Sequence, residues 1–179
     1  MPKWRDVDEA RLRFSCALLE VVSVRRERID SGQTGEFVVL KAAPWVNVVA
    51  VTMTGTLVLV RHFRHGISGY SLELPAGMVE NGEAVGEAAT RELLEETGYA
   101  GTGGRLLGEL YPNPGLQNNV CSSWLVRDAA PVTVPSLGEF EDIEVVEMPV
   151  SAVREAVTRG EIKNALTVAA LYMALDDMR

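Results

Sequence analysis

The sequence predicts an α+β fold: a mixed β-sheet with helices on its faces, preceded by an antiparallel arm of strands. Three observations predict it. Short Val- and Leu-rich segments bounded by Gly, Pro and Thr recur along the chain, which is the pattern of strands. Two stretches, one in the middle and one at the end, instead repeat apolar residues at three- and four-residue steps, the period of a helix. The length, 179 residues, fits one domain with a sizeable core.

Taken in order, residues 13–24 alternate enough to predict a strand. Residues 25–35 are charged and contain glycine, a turn between hairpin arms, and 36–41 return as a second strand. Ala42-Ala43-Pro44 punctuates the chain. Residues 46–53 are rich in Val and read as a buried strand, Thr54-Gly55-Thr56 as a turn, and 57–61 as the partner strand. A loop at 66–69 leads to Leu72-Glu73-Leu74-Pro75. Residues 105–111 and 120–126 read as strands around a Pro-containing loop at 112–119. A polar stretch at 128–142 precedes a last strand at 143–148. Ser151 is placed to cap a short helix that Gly160 ends. Ile162, Leu166, Ala169 and Met173 mark an amphipathic C-terminal helix. The organisation expected is an arm at 1–43 and a main domain at 44–179.

Composition bounds the function. Hydrophobic residues make up 47% and charged residues 23%, ordinary for a soluble globular chain. The formal net charge of −8 argues against a nucleic-acid or anionic-membrane surface, because both demand basic footprints. It leaves room for a phosphate substrate, since a bridging cation inverts the local potential. No apolar run approaches the roughly 20 residues that cross a bilayer, and the charged start of the chain is not a secretion signal. Cys16 and Cys121 lack metal-ligand spacing and read as buried free thiols, consistent with the cytoplasm.

The chemistry is concentrated in one stretch. Residues 83–90 read as a helix start, and Gly98 stands where a helix end wants a residue free to take positive φ. Val85, Ala88, Ala89 and Leu93 form its apolar face. Glu92, Glu95 and Glu96 fall three and four positions apart, so they are neighbours on one helical patch. Like charges there cost roughly 0.2–0.5 kcal/mol per pair. Arg91, one turn from Glu87 and Glu95, answers part of that cost. A Glu-rich helix is often only a solvated face. The spacing here is more demanding: Gly77, five residues, Glu83, seven residues, then Arg91-Glu92-Leu93-Leu94-Glu95-Glu96-Thr97-Gly98. The surplus charge calls for a cation, and hard cations such as Mg²⁺ take oxygen ligands.

This stretch resembles the signature box of the Nudix hydrolases, enzymes that cut nucleoside diphosphates linked to another group. The match covers Gly77, Glu83, Arg91, Glu92, Leu93, Glu95, Glu96 and Gly98. Tyr99 departs from the aliphatic residue usual at the last position. The resemblance implies an α/β/α sandwich. It implies Mg²⁺ or Mn²⁺ held by Glu92 and Glu96, with Glu95 joining directly or through water and the Ala76 carbonyl as a further ligand. Arg91 and Glu83 would orient that cluster. The ADP-ribose and nucleoside diphosphate sugar pyrophosphatases of the family carry a comparable N-terminal arm, which implies a homodimer here.

Substrate class is read outside the box. Pro114 lies sixteen positions after Gly98, and Gln117-Asn118-Asn119 follows it, a pattern similar to that pyrophosphatase branch. Prolines shape a loop in any case. Trp45 offers a flat partner for a nucleobase, and packing is the competing role. Arg61 and Arg64 suit phosphate oxygens by their fork geometry, and at least one is expected to face the substrate. With the box glutamates committed to metal, a further carboxylate is needed to activate water. The 139–144 segment resembles the acidic loop that supplies it, with Glu139 first and Glu141 second. The function expected is cleavage of ADP-ribose or a related nucleoside diphosphate sugar to a nucleoside monophosphate and a sugar phosphate. The rival readings are a nucleotide-sensing module without turnover and a purely structural protein; neither explains why every box carboxylate is kept.

Overall fold

In the computed structural model, which describes residues 3–178, the chain forms two compact units. The first runs up to Pro44 and takes in Tyr111–Val120; the second is made of Trp45–Leu110 and the chain from Cys121 onward.

The first unit is an antiparallel sheet. Its central strand is β3 (Leu19–Arg28), with β1 (Trp4–Asp6) and β2 (Arg11–Ser15) paired to one side and β4 (Thr34–Ala42) to the other. The charged run at 25–28, expected as a turn, continues the β3 strand instead. Its charges are satisfied across the ladder: Arg26 pairs with Asp6 at 2.9 Å and Glu27 with Arg5 at 3.0 Å. Opposite charges on neighbouring strands stabilise a sheet as apolar pairs do. The turn itself lies further on, closed by Arg28 N–H to the Gln33 carbonyl. Tyr111–Val120 belongs to this unit through backbone bonds between Leu40 and Leu116 and between Asn118 and Leu40, and through the Asn119 amide on the Ala43 carbonyl.

The second unit holds a seven-stranded mixed sheet. β5 (Trp45–Thr52) lies parallel to β10 (Cys121–Pro131) and antiparallel to β6 (Thr56–Arg64). β9 (Tyr99–Leu110) and β11 (Ile143–Pro149) form the outer pairings, while β7 (Gly69–Glu73) and β8 (Ala76–Met78) attach to β6 and β5. Alternate residues serve two cores. Val46, Val48, Ala50 and Val58 pack with Ala88, Ala89 and Leu93 of α1 (Val85–Thr97). Val49, Leu57 and Leu59 pack with Val153 and Ala156 of α2 (Val150–Thr158) and Ala170 and Leu171 of α3 (Ala165–Met173). Val48 and Val49 are both 0% exposed, so adjacent residues on opposite faces are equally dry. A strand covered on both faces loses polar alternation, which is why 46–53 reads as a continuous apolar run. The α+β sandwich is therefore the observed architecture.

Several boundaries differ from expectation. β9 starts at Tyr99 rather than 105, because the three glycines before residue 105 hide a strand. Pro149, not Ser151, stands at the start of α2, and the C-terminal helix begins after Asn164, whose side chain accepts the Thr167 N–H at 2.9 Å. Cys121 is buried as expected, whereas Cys16 is exposed in the β2–β3 turn. No helix among the described residues is long and apolar enough to cross a membrane.

Candidate active site

Helix α1 is positioned by its ends and its apolar stripe. At the N-terminus the Glu87 carboxylate accepts the Ala84 N–H at 3.1 Å. Gly98 takes a left-handed conformation, φ 73°, and its N–H bonds the Leu94 carbonyl at 2.8 Å. With Ala88, Ala89 and Leu93 buried, Glu96 lies buried on the same side, Glu92 lies beside it facing β8, and Arg91 and Glu95 stand further out toward the loop that holds Glu83.

Arg91 is the hub of that edge. Its guanidinium forks onto both oxygens of Glu83, at 2.8 and 3.0 Å, donates to Glu92 at 2.7 Å and Glu95 at 3.2 Å, and bonds the Met78 carbonyl at 2.9 Å. Glu83 also accepts the Glu80 N–H. These charge-assisted bonds hold the Glu83 carboxyl well below its ordinary range, to about 2.

Glu96 is treated in the opposite way. It is 3% exposed, and its Oε2 accepts one backbone donor, the Ala76 N–H, at 2.9 Å. Burial drives its pKa up to about 8 against that bond, and the neighbouring negative charges of Glu92 and Glu141 push the same way. Its Oε1 faces His62 Nδ1 at 3.9 Å, beyond hydrogen-bond reach, and burial holds His62 toward its neutral form. Glu92 is raised by burial as well, Arg91 opposing. Gly77 makes its position possible: a Cβ there would lie 2.0 Å from the Glu92 carboxylate.

The residues singled out in the sequence fall as follows. Glu92 and Glu96 share the inner side of α1 with Ala76, and Glu95 lies outside them with its carboxylate on Arg91. Glu141 and Glu139 are both on the exposed loop before β11; the Glu141 carboxylate accepts the Gly138 N–H at 2.7 Å, and its charge is felt by Glu92 and Glu96. Arg64 lies on the α1 side of β6, where its charge also reaches Glu96. Arg61 alternates to the other side and bonds Glu144 at 2.9 Å. Trp45 is half-buried at the start of β5, in register with Met78 and Cys121. Pro114 is exposed in the first unit.

Glu73 went unread, and His62 and Asp142 were not singled out as site residues. Glu73 is 3% exposed and receives Arg64 at 2.8 Å. His62 belongs to the same buried group. Asp142 ties the acidic loop to β6 and β7, accepting the Phe63 N–H at 3.0 Å and the Tyr70 hydroxyl at 2.5 Å. A carboxylate between two leucines, Leu72-Glu73-Leu74, was the available signal for the first.

The donor set fits a hard divalent cation. Glu92 and Glu96 offer oxygen only, the missing side chain of Gly77 lets the Glu92 carboxylate lie against β8, and Glu96 is a buried carboxylate with a single N–H partner on one oxygen. Among the described residues no three acidic, His or Cys side chains yet converge on one point, because Arg91 stands between Glu92 and Glu95.

Comparison with known proteins agrees with this geometry. The NUDIX domain matches residues 41–170. ADP-ribose pyrophosphatase of Bacillus subtilis (strain 168) is 29% identical over 151 residues, covering 83% of this chain and 82% of that protein. GDP-mannose pyrophosphatase of Escherichia coli O1:K1 / APEC is 32% identical over 158 residues, covering 83% and 76%. The crystal structure of an ADP compounds hydrolase is similar in fold, with TM-score 0.85 over 98% of this chain and 94% of that one at 23% identity. The chain belongs to the NUDIX family and is an enzyme, a Nudix diphosphatase. Nudix hydrolases generally use divalent metal ions.

Proposed function

We propose that the protein hydrolyses ADP-ribose, or a related nucleoside diphosphate sugar, to a nucleoside monophosphate and a sugar phosphate, using Mg²⁺ or Mn²⁺. The observation that carries this reading is Glu96: a carboxylate buried on the inner side of α1, beside Glu92, with too few donors to hold its charge. Glu92, Glu96 and the Ala76 carbonyl would hold the ion, with Glu95 reached once Arg91 releases it. When bound, the ion neutralises the diphosphate and polarises the scissile phosphoanhydride. The chain's own groups do the rest. Arg91, anchored by Glu83, sets the glutamates. Arg64 takes phosphate oxygen, and Arg61 is available if it leaves Glu144. Glu141 or Glu139 accepts the proton of the attacking water, and the influence of Glu141 on Glu92 and Glu96 favours it as the nearer group. Trp45 would stack on the base, and Pro114 would shape the loop that admits the sugar.

The names of the relatives, an ADP-ribose and a GDP-mannose pyrophosphatase, support this substrate class. The test is a divalent-metal screen with ADP-ribose and GDP-mannose side by side, products resolved by chromatography. Nucleoside monophosphate appearing only with metal is expected; equal turnover in chelator would refute the reading.

The N-terminal arm, residues 1–43, we assign to homodimerisation around the catalytic domain at 44–179. Leu12, Phe14 and Val38 are large apolar residues more than half exposed on its sheet, and such a surface asks for cover. Sedimentation of wild type and Phe14→Lys tests it, the variant being expected to run as a monomer. A cytoplasmic location suits the free, exposed thiol of Cys16.

A further inference from the structure

The geometry points to Glu73 as a positioning residue that presents Arg64 to the diphosphate, an inference that rests on the substrate class proposed above. Glu73 ends β7 and is 3% exposed, an expensive place for a carboxylate unless partners satisfy it. Arg64, at the end of the neighbouring strand β6 and on the same face as Val60, the ladder partner of Glu73, supplies two of them. Its Nη2 donates to Glu73 Oε2 at 2.8 Å and its Nε to the same oxygen at 3.3 Å. Ser71 and Asn164 bond the same carboxylate, fastening it to β7 and to the cap of α3. The anchor therefore has two further partners besides the arginine.

What this does to Arg64 follows from the shape of guanidinium. Five N–H donors lie in one plane, and the edge holding Nε and one Nη2 hydrogen is taken by Glu73. The two Nη1 donors lie outside that edge. The Arg64 side chain is 38% exposed, so this end opens outward while the stem stays fixed. It opens on the right side of the sheet, because the Arg64 charge bears on both His62 and Glu96. A flexible arginine would lose rotamer freedom on gripping a phosphate; one already held by a buried carboxylate has lost it beforehand. Glu73 touches no substrate in this arrangement, so its whole effect passes through Arg64.

The test uses the full chain and two readouts. One is calorimetric binding of α,β-methylene-ADP, a diphosphate that cannot be cleaved at the bridge. The other is kcat/KM on ADP-ribose with metal present. Glu73→Gln, Arg64→Ala and the double variant are compared, melting temperature being followed throughout. Loss of one charge-assisted contact corresponds to about tenfold or more in affinity. Glu73→Gln and Arg64→Ala are each expected to weaken the methylene analogue by at least that factor, and the double variant to be no worse than Arg64→Ala alone. Losses that multiply in the double variant, or wild-type binding by Glu73→Gln, would overturn the inference. Should Glu73→Gln fail to fold, Arg64→Lys keeps the ion pair but not the fork; it is expected to bind as poorly as Arg64→Ala, and wild-type binding by it would overturn the inference equally. A wild type that binds the analogue yet cleaves no nucleoside diphosphate sugar would refute the proposed function and leave the role of Glu73 to be read from binding.

Discussion

Glu83 and Glu96 belong to one motif and are handled in contrary ways. Glu83, in the loop before α1, meets a two-pronged arginine and a backbone N–H, and it stays ionised down to about pH 2. Glu96, on the inner side of the helix, meets one backbone N–H inside a dry wall, and it resists ionisation up to about pH 8. The lesson is that a shared motif does not imply a shared task. A carboxylate already supplied with donors is a fastener. One starved of them is, on the function proposed above, a group placed to receive positive charge.

The sharpest way to break this contrast is Glu96→Gln. With metal and ADP-ribose, kcat should fall by about 10²–10³-fold, the scale of losing one preorganised electrostatic group. The same substitution should raise the melting temperature of chelator-treated protein at pH 8, since a neutral amide no longer has to ionise in a dry site. A lower melting temperature there would mean that Glu96 is a structural ion. Glu83→Gln should cost less, about tenfold in kcat/KM, because it acts only through Arg91. If it matched Glu96→Gln, the division between the two glutamates would fail.

The pH dependence sharpens the comparison. The folded pKa of Glu96 lies above its ordinary 4.5, so its protonated form stabilises the native state. That contribution is complete below about pH 4.5 and is lost as pH rises through about 8. Glu83 is lowered, so its contribution is present above about 4.5 and lost as pH falls toward 2. Urea titrations in chelator should show the first slope, and saturating Mg²⁺ should flatten it at the alkaline end. The smallest effect concerns Tyr99, the odd residue closing the box. Its hydroxyl donates to Glu147 at 2.5 Å and is pushed up to about 12 by that bond. Tyr99→Phe should cost about 1 kcal/mol in urea unfolding and leave turnover nearly unchanged.

Much of this was legible in the chain because local rules suffice for it. The spacing of Val85, Ala88, Ala89 and Leu93 gives α1, and Gly98 gives its end. Residues 46–53 announce a strand buried on both faces. What was hidden depends on pairing across distance. Charges at 25–28 look like a turn until their partners on β1 are known. Arg61 and Arg64 look equivalent, yet three positions along a strand place them on opposite faces, with Glu144 and Glu73 respectively. The acidic run pointed to a loop but could not rank Glu139 against Glu141, since only folding sets their distance from the helix.

The double-sided burial of β5 and β6 has one more consequence. The amides beneath Glu92 and Glu96 sit on the driest part of the sheet, where exchange with deuterium requires the whole unit to open. Residues 131–142, by contrast, are exposed along their entire length. Loop grafting there should therefore spare the fold: a transplanted segment that keeps Glu139 and Glu141 could retune the reaction while the scaffold under the glutamates keeps its slow exchange.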